Sequence, residues 1–497
     1  MILIIFDQII LSGKMAEVKQ EGITVKKSEN FSEWYTQVVQ KANLSDYGPV
    51  QGTIAIRETA YAIWEKIQKV FDEKIKKTGH KNAYFPLLIP ESFLKKEAEH
   101  FKGFVPEVFW VTQAGDNKIG ERLAIRPTSE TIINTFYSKW IRSWRDLPVL
   151  LNQWCNILRG EIKSTKPFIR TSEFLWQEGH TAHATEAEAE KEMLYILNEY
   201  KDLVENYLAV PVLVGKKSEM EKFAGAKTTT TMEALMPDGK ALQAGTSHNL
   251  GQNFSRAFDI KFLDKNGKQQ HVWTTSWGIS TRLIGAVVMT HGDDKGLILP
   301  PKIAPNQTVI VPIFYKAEEK KKVLKKAEEL VEKLKENGVS VFLDGREGYT
   351  PGWKFNEWEL KGIPIRIEIG PKDVKNKQVV VVRRDNFKKT SVKDKQAVKE
   401  IEKILDDMQK SLFVKAKKFM SENTTTVKDY QEFKKALEKK GGFLRACWCG
   451  EQHCEEQVKL ETGATIRIVP FKKEKTFAKC IYCNKEAKEV VYFAKAY

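Results

Sequence analysis

Long hydrophobic runs are missing from this sequence of 497 residues. No stretch of about 18 consecutive apolar residues occurs, which excludes a transmembrane helix. A P-loop and a Gly-x-Gly-x-x-Gly motif are also absent, which excludes the glycine-rich phosphate loops of P-loop NTPases and dinucleotide-binding enzymes. Cysteine is scarce, with 6 residues, and five of them lie close to the C-terminus, whereas a disulfide framework would spread over a small secreted chain. The clustering indicates a reducing compartment and a metal.

The apolar segment from Met1 to Leu11 could be mistaken for a secretory signal. It has no basic leading region, it contains Asp7, and no convincing cleavage site follows, so we expect no targeting signal. We expect translation to start at Met15, and residues 1–32 to form a poorly ordered N-terminal extension.

Positive charge is in excess: the formal net charge is +16, with 81 Lys and Arg against 65 Asp and Glu. Such an excess favours a polyanionic partner, because each neutralised phosphate releases condensed counterions. A basic surface without a nucleic-acid partner is the alternative, and charge alone does not decide between the two.

Two boundaries divide the chain after the N-terminal extension. Residues 33–300 are rich in aromatic residues and mix helical and strand patterns, and the prolines at 300, 301 and 305 indicate a linker. In residues 301–408, strands alternate with an amphipathic helix from about Ala317 to Asn337, which predicts an α/β domain with a largely parallel sheet. Residues 409–497 carry the cysteine cluster.

Residues 126–183 carry the most informative pattern. Charged residues alternate there with aromatic and β-branched ones in the segments Arg126-Pro127-Thr128-Ser129-Glu130, Leu158-Arg159-Gly160-Glu161, Phe168-Ile169-Arg170-Thr171-Ser172-Glu173-Phe174 and Trp176-Gln177-Glu178-Gly179-His180. This alternation is typical of strands that line a polar pocket. Arginine suits a phosphate or carboxylate ligand because its planar fork binds in a two-pronged manner. For any single Arg or Glu, a salt bridge on a sheet face is the alternative.

The arrangement as a whole resembles the second signature of class II aminoacyl-tRNA synthetases, an antiparallel strand pair joined by a loop. The helix ending near Lys77 and the strand ending at Pro86 resemble the first signature, and the segment from Trp277 to Leu283 resembles the third. The signatures of class I synthetases, His-Ile-Gly-His and Lys-Met-Ser-Lys-Ser, are absent.

Within class II, several segments are similar to those of prolyl-tRNA synthetases: residues 126–130, residues 176–183, Ala244-Gly245-Thr246-Ser247-His248 and Thr274-Thr275-Ser276-Trp277-Gly278. The resemblance extends from about residue 33 to Tyr497. It implies an antiparallel-sheet catalytic domain (33–300), an α/β anticodon-binding domain (301–408) and a C-terminal zinc-binding α+β domain (409–497). It also implies a homodimer in the cytoplasm.

The same resemblance assigns roles to residues of the pocket. Arg159 and Arg282 are the catalytic candidates. The proline-binding candidates are Thr128, Glu130, Arg159, Trp176, Glu178, His180, Ser247 and His248. The ATP-binding candidates are Arg159, Glu161, Phe168, Arg170, Gln243, Thr246 and Arg282. The implied reaction is attack of the proline carboxylate on the α-phosphate of ATP, followed by transfer of the prolyl group to tRNA(Pro), with Mg²⁺ bridging the phosphates.

Some bacterial-type relatives carry an editing domain between the second and third signatures. Only about a hundred residues separate His180 from Trp277 here, too few for that domain in addition to the core. We therefore expect the archaeal/eukaryotic-type architecture, without a built-in domain that removes misactivated alanine.

In the anticodon-binding domain the candidates for contact with tRNA are Arg346, Lys354 and, more weakly, Glu359. Arg346 and Lys354 are expected in loops after strands, where ligands bind in open α/β sheets. Solvated surface charges are the alternative.

The expected zinc ligands are Cys449, Cys454, Cys480 and Cys483, two close pairs of the kind that bind Zn²⁺ tetrahedrally. Cys447 and His453 are alternative ligands, and reduced thiols without a metal are the alternative reading. A closed site of four thiolates has no open position, so the zinc should be structural. The resemblance also implies that the Tyr497 carboxylate reaches towards the catalytic domain, and a frayed terminus is the alternative.

Two rival functions remain at this point. A threonine-specific synthetase of the same class would be expected to hold a catalytic zinc, but the catalytic region lacks the cysteine for the usual site. A non-catalytic protein that binds tRNA is disfavoured because Arg159, Glu161 and Arg282 are all retained.

Overall fold

The computed structural model describes residues 22–100, 107–162 and 164–497. Most of the expected N-terminal extension, residues 1–21, lies outside this part of the chain, as do the expectations about Met1 to Leu11 and Met15. Residues 22–30 were expected to be poorly ordered, but several of them contact the first domain. Lys27 donates hydrogen bonds of 2.7 Å to the carbonyls of Met289 and Gly292, and Ile23 and Val25 pack against the core of the first domain.

The first domain contains helices that surround antiparallel strands. Its helices are α1 (Phe31–Lys41), α2 (Glu58–Lys76), α3 (Glu91–His100), α4 (Glu130–Trp140), α5 (Glu186–Asp202), α6 (Asn253–Ala257) and α7 (Arg282–His291). Its strands are β1 (Ser45–Tyr47), β2 (Ile54–Ile56), β3 (Lys81–Asn82), β4 (Leu88–Pro90), β5 (Trp110–Ala114), β6 (Asn117–Ile125), β7 (Val149–Leu158), β8 (Glu173–His183), β9 (Leu213–Lys216), β10 (Thr228–Leu235), β11 (Ala241–Gly251), β12 (Lys261–Leu263), β13 (Gln269–His271) and β14 (Trp273–Ser280).

A seven-stranded sheet forms the centre of this domain, in the order β3-β7-β8-β14-β11-β10-β9. Only the short β3 pairs in parallel, with β7, and the other pairs are antiparallel, so the predicted antiparallel catalytic sheet is confirmed. In α2, the side chains at 63, 67, 71 and 75 recur every four residues and are buried on one face against this core. Gly179 in β8 faces the Trp277 ring in β14, and a Cβ at this position would overlap that ring.

The strand pair β7 and β8, with the loop between them, has the form expected of the second signature. The third signature is also confirmed as a strand followed by a helix, because β14 ends at Ser280 and α7 begins at Arg282. Between the two signatures, the chain from α5 to β13 adds strands and helices to the same domain, and no separate folded unit is inserted among the described residues there.

The second domain is built around a five-stranded sheet in the order β16-β15-β17-β18-β19. Its elements are β15 (Thr308–Pro312), α8 (Ala317–Glu336), β16 (Val341–Leu343), α9 (Pro351–Leu360), β17 (Ile365–Ile369), α10 (Pro371–Lys375), β18 (Gln378–Arg383), β19 (Lys389–Lys393) and α11 (Ala397–Glu422). Pairing is parallel in β16-β15-β17 and antiparallel in β17-β18-β19. The sheet is therefore mixed rather than largely parallel, because β17, β18 and β19 are joined by short connections instead of crossover helices.

The C-terminal domain has a four-stranded sheet in the order β20-β21-β23-β22, which agrees with the predicted α+β class. Its elements are β20 (Thr424–Thr426), α12 (Tyr430–Lys439), β21 (Phe443–Trp448), α13 (Gln452–Thr462), β22 (Thr465–Ile468) and β23 (Glu489–Ala494). Helix α11 is continuous through residue 408, where the sequence suggested a boundary, so this helix links the two domains. None of the helices within the described ranges is long and apolar enough to cross a membrane.

Candidate active site and metal centre

A cavity of about 270 Å³ opens on the seven-stranded sheet. Ten of the residues selected from the sequence line it: Thr128, Glu130, Arg159, Trp176, Glu178, His180, Gln243, Thr246, His248 and Arg282. Most of them belong to β8, β11 and the start of α7. β8 and β11 lie on either side of β14 in the sheet, and α7 follows β14, so these elements meet although they are distant in sequence. The sheet thus brings the predicted proline-binding and ATP-binding residues to one cavity.

Four predicted residues lie outside the lining of the cavity. Phe168 is 3% exposed and packs in the core of the first domain. Ser247 is fully buried between Thr246 and His248, whose side chains point to the cavity, because successive side chains of a strand alternate in direction. Glu161 and Arg170 are exposed in the loop between β7 and β8.

A buried carboxylate at the floor of the cavity has several hydrogen-bond donors. Glu178 accepts hydrogen bonds from Gln153 at 2.8 Å, from the Ser129 hydroxyl, and from the Ser129 amide at 3.2 Å. Its Oε2 lies 3.1 Å from Nε2 of His180. Burial opposes ionisation of Glu178, but the His180 contact and these donors outweigh it and hold its pKa below the usual value. Glu178 is therefore an anion that orients His180.

His180 has the complementary shift. Its burial disfavours the charged form, but the hydrogen bond to Glu178 and the charges of Glu130 and Glu178 raise its pKa above the usual value. His248 differs, because burial and the nearby charge of His180 lower its pKa to about 3. His248 is thus a neutral imidazole, with Nδ1 2.9 Å from the Thr229 hydroxyl.

Glu130 provides the second carboxylate of the cavity. It is 4% exposed, stands at the first position of α4, and accepts a hydrogen bond from the Thr128 hydroxyl. The N-terminus of a helix favours negative charge, so this position suits a carboxylate. A carboxylate with few internal donors, facing a cavity, is suited to a cationic ligand.

The cavity is also lined by two guanidinium groups, those of Arg159 and Arg282. The pKa of Arg282 is lowered to about 10. Burial is the main cause, and the positive charges of Arg159 and Arg170 lower the pKa further. The pKa of Arg159 is also lowered by burial, which the carboxylates Glu161, Glu130 and Glu178 partly oppose. Arg159 donates through Nε to the Pro127 carbonyl at 3.1 Å, and its guanidinium lies 5.7 Å from the Trp176 ring centroid. Crowded and partly desolvated guanidinium groups make a site for a polyanion.

Sequence reasoning missed one wall of the cavity, formed by Lys217, Glu221, Phe223 and Thr229. These residues follow β9 or lie at the start of β10 and belong to none of the recognised signatures. β10 begins with four consecutive threonines, residues 228–231, so no alternation of polar and apolar residues marked this wall in the sequence.

The three candidates in the second domain are placed differently from one another. Arg346 is partly exposed and forms ion pairs with Asp344, at 2.7 Å, and with Glu357. Its guanidinium also lies 5.2 Å from the Tyr349 ring, which stacks on Trp353 with a centroid distance of 4.2 Å. Glu359 accepts from Arg366 at 2.7 Å.

Lys354 lies in the first turn of α9 rather than in a loop, because Thr350 caps that helix. Its side chain is 6% exposed, and its ammonium group donates to the backbone carbonyls of Asp344 at 3.0 Å and Arg346 at 2.6 Å. Lys354 therefore fixes the loop that carries Arg346.

Four cysteine sulfurs converge in the C-terminal domain: those of Cys449, Cys454, Cys480 and Cys483 all lie within 4.8 Å of one another. The Cys449 sulfur is 3.6 Å from that of Cys454 and 3.8 Å from that of Cys483. A tetrahedral zinc with Zn–S bonds of about 2.3 Å requires sulfur–sulfur distances of about 3.8 Å, so the four side chains fit this ion.

The two alternative ligands are not part of the cluster. The Cys447 sulfur instead accepts a hydrogen bond from the Phe477 amide at 3.4 Å, and His453 is exposed. At the C-terminus, Tyr497 lies against the first domain: its hydroxyl donates to Asp238 at 2.6 Å and its amide to the Ala241 carbonyl at 3.2 Å. The approach of the Tyr497 carboxylate to the catalytic domain stays a prediction.

Three family models match successive parts of the chain. Residues 109–291 match the "tRNA synthetase class II core domain (G, H, P, S and T)", and residues 307–404 match the "Anticodon binding domain". Residues 430–497 match "Prolyl-tRNA synthetase, C-terminal".

Curated proteins are similar over nearly the whole chain. The proline--tRNA ligase of Alkaliphilus oremlandii is 58% identical over 94% of this chain and 96% of its own length. That of Natranaerobius thermophilus is 56% identical over 95% and 97%, respectively. Proline--tRNA ligase 2 of Clostridioides difficile is 54% identical over 96% and 98%.

Proposed function

Because this chain belongs to the prolyl-tRNA synthetases, we propose that the cavity on its seven-stranded sheet binds proline and ATP side by side for adenylate formation. The chain is a class II proline--tRNA ligase, which activates L-proline with ATP and charges tRNA(Pro) in protein synthesis. The observation that carries the proposal is that a single cavity is lined by two carboxylates, Glu130 and Glu178, and by two guanidinium groups, Arg159 and Arg282. Proline has a cationic nitrogen and an anionic carboxylate, and it fits between them.

At the acidic part of the cavity, we assign the secondary ammonium of proline to Glu130, Thr128 and His180. Glu130 supplies the negative charge, and Glu178 fixes the His180 ring through the 3.1 Å contact. Trp176 lies against the pyrrolidine ring, and His248 completes this subsite from β11. Ser247 faces away from the cavity and is not assigned to the subsite. Being neutral, His248 adds no positive charge beside the ammonium group.

At the basic part, Arg159 holds the proline carboxylate and the α-phosphate of ATP, and Arg282 holds the γ-phosphate. Attack of the carboxylate places additional charge on the α-phosphate, which a positioned guanidinium stabilises. Gln243 and Thr246 belong to the ATP subsite in this assignment. Phe168 does not, because its ring is buried in the core of the first domain. Glu161 and Arg170 would join it from the exposed loop between β7 and β8. Mg²⁺ neutralises the phosphates when ATP is bound.

For the C-terminal cluster we propose a structural Zn²⁺ held by Cys449, Cys454, Cys480 and Cys483. All four thiolates would serve as ligands, so no position remains for a substrate or a water molecule. The ion would tie the segment after β21 to the segment before β23 and so stabilise the fold of this domain.

For tRNA recognition we propose that Arg346 and the stacked Tyr349 and Trp353 contact the anticodon loop, with Glu359 at the edge of the same domain. Lys354 contributes by fixing the loop of Arg346. Unpaired bases stack on aromatic rings and bond to arginine in this way.

Arg346→Ala should raise the KM for tRNA(Pro) by about tenfold while proline-dependent exchange of pyrophosphate into ATP stays unchanged, since one such contact contributes about 1–3 kcal/mol. The measurement is the rate of prolyl-tRNA formation at varied tRNA concentrations. Lys335→Ala, which removes an exposed cation from α8, is the matched control. An unchanged KM in Arg346→Ala would remove this residue from the interface.

We also propose a homodimer in the cytoplasm, where the tRNA is charged. The exposed side chains of Tyr84 and Trp140, 70% and 48% exposed, lie beside the segment that resembles the first signature and suit a subunit contact. Sedimentation equilibrium measures the assembly, and a particle with the mass of one chain at micromolar concentration would contradict it.

A further inference from the structure

The C-terminal domain meets the catalytic domain directly behind the missed wall of the cavity. The backbone of Lys216, at the end of β9, exchanges hydrogen bonds of 2.8 and 2.9 Å with Val469, just after β22. Gly215 allows this approach, because a Cβ there would lie 2.5 Å from the Val469 carbonyl oxygen. The contact fixes the position of Arg467, two residues earlier in the chain.

Arg467 enters the catalytic domain and binds a carboxylate there. Its Nη2 lies 3.0 Å from Oε1 of Glu233, and its Nε lies 3.2 Å from Oε2, so the guanidinium forms a two-pronged pair. Glu233 is fully buried in β10. The other cation on Glu233 is Lys217, whose ammonium nitrogen lies 2.7 Å from Oε1.

Lys217, unlike Arg467 and Glu233, lines the cavity. One of its three N–H groups bonds to Glu233, and the structure shows no second acceptor for its ammonium group among the described residues. Glu221, which also lines the cavity, is likewise paired with cations of the C-terminal domain, Arg467 at 3.3 Å and Lys459 at 3.4 Å. The C-terminal domain therefore neutralises two carboxylates beside an anion-binding cavity.

We propose that Lys217 contacts an anionic oxygen of the substrates and that Arg467 is its positioning residue, reaching the site from another domain. With Arg467 in place, Glu233 is balanced by the guanidinium, and the Lys217 charge remains available to the ligand. Without Arg467, the ammonium group of Lys217 would pair with the carboxylates of Glu233 and Glu221 instead of with the ligand. The anionic oxygen belongs to an ATP phosphate or to the proline carboxylate, and the inference rests on the activation reaction assigned above.

The test uses the full-length protein and measures the KM for ATP and the KM for proline separately in pyrophosphate exchange. Arg467→Gln is expected to raise one of the two by about tenfold, which is the usual effect of weakening a charged hydrogen bond. A rise for ATP identifies a phosphate as the ligand of Lys217, and a rise for proline identifies the carboxylate. Lys217→Met should raise the same KM.

A double variant that removes one positive and one negative charge shows whether Arg467 acts by positioning Lys217 or whether its loss simply damages the fold. In Arg467→Gln combined with Glu233→Gln, both charges are gone and the Lys217 ammonium has no buried carboxylate partner at 233. This double variant should recover most of the affinity lost in Arg467→Gln. Arg445→Ala is the control, because Arg445 pairs with Glu474 inside the C-terminal domain, and it should leave both KM values unchanged.

Two results would overturn the inference: unchanged KM values for both substrates in Arg467→Gln, or a double variant no better than the single one. The first of these results would overturn it even if kcat fell, because it would leave no role for Lys217 in ligand binding. If the wild-type protein showed no proline-dependent exchange, the assigned reaction itself would fail. If the wild-type protein showed normal exchange and the variants had unchanged KM values, only the role proposed for Arg467 and Lys217 would be wrong.

Discussion

Replacing Arg159 with alanine is expected to lower proline-dependent exchange of pyrophosphate into ATP by about a hundredfold to a thousandfold, the range found when one preorganised donor is removed from a charged transition state. Arg159 is close enough to the carboxylates of Glu130 and Glu178 and to the guanidinium of Arg282 to interact with all three electrostatically. Its position beside the Pro127 carbonyl fixes the guanidinium before the substrates bind.

Two further variants show what the arginine contributes. Arg159→Lys should remain strongly impaired, because an ammonium group keeps the charge but cannot bind a carboxylate and a phosphate as a planar fork does. Arg256→Ala, an exposed arginine on α6, is the control and should keep full exchange. Exchange near the wild-type level in folded Arg159→Ala would remove Arg159 from the reacting centre.

The second large effect is expected at the cysteine cluster. Purified protein should contain one zinc per chain, and Cys454→Ser should lose most of it together with the stability of the C-terminal domain. Structural zinc sites contribute on the order of 10 kcal/mol to folding. Loss of even about 3 kcal/mol lowers the unfolding midpoint of a domain of 60–100 residues by about 10 °C or more. Metal analysis and a thermal melt followed by limited proteolysis measure both effects.

Cys447→Ala is the matched control for the zinc site, because Cys447 is buried in the same domain but lies outside the cluster. It should retain the zinc. Zinc-free wild-type protein purified in zinc-containing buffer, or full zinc in Cys454→Ser, would contradict the assignment. Since Arg467 belongs to the same domain, Cys454→Ser should also weaken exchange.

The residues of the cavity that lie in contiguous signatures could be predicted from the sequence. Arg159, Glu178 and His180 stand in one strand pair, where alternation and spacing are visible in the chain, and Arg282 starts a helix directly after a strand. The cluster of four cysteines could be predicted equally well, because the spacing of close cysteine pairs is itself typical of metal sites.

Residues whose role depends on how domains dock could not be predicted in this way. Lys217 and Arg467 are 250 positions apart, and nothing local to either residue indicates the buried carboxylate of Glu233 between them. Lys354 shows the same limit, because a lysine in a polar segment gives no sign that its ammonium group is buried against two carbonyls. Phe168 lies in the loop between β7 and β8, where a side chain would be expected to be exposed, but tertiary packing buries it in the core.

The most direct test of the account is amino-acid-dependent exchange of labelled pyrophosphate into ATP, measured with purified protein for each of the twenty amino acids. The account predicts that proline gives the highest exchange. Alanine should follow at a lower level, because a smaller apolar ligand loses only about 1–3 kcal/mol per missing methylene. Exchange led by another amino acid, or no exchange from folded, zinc-containing protein supplied with tRNA, would contradict it.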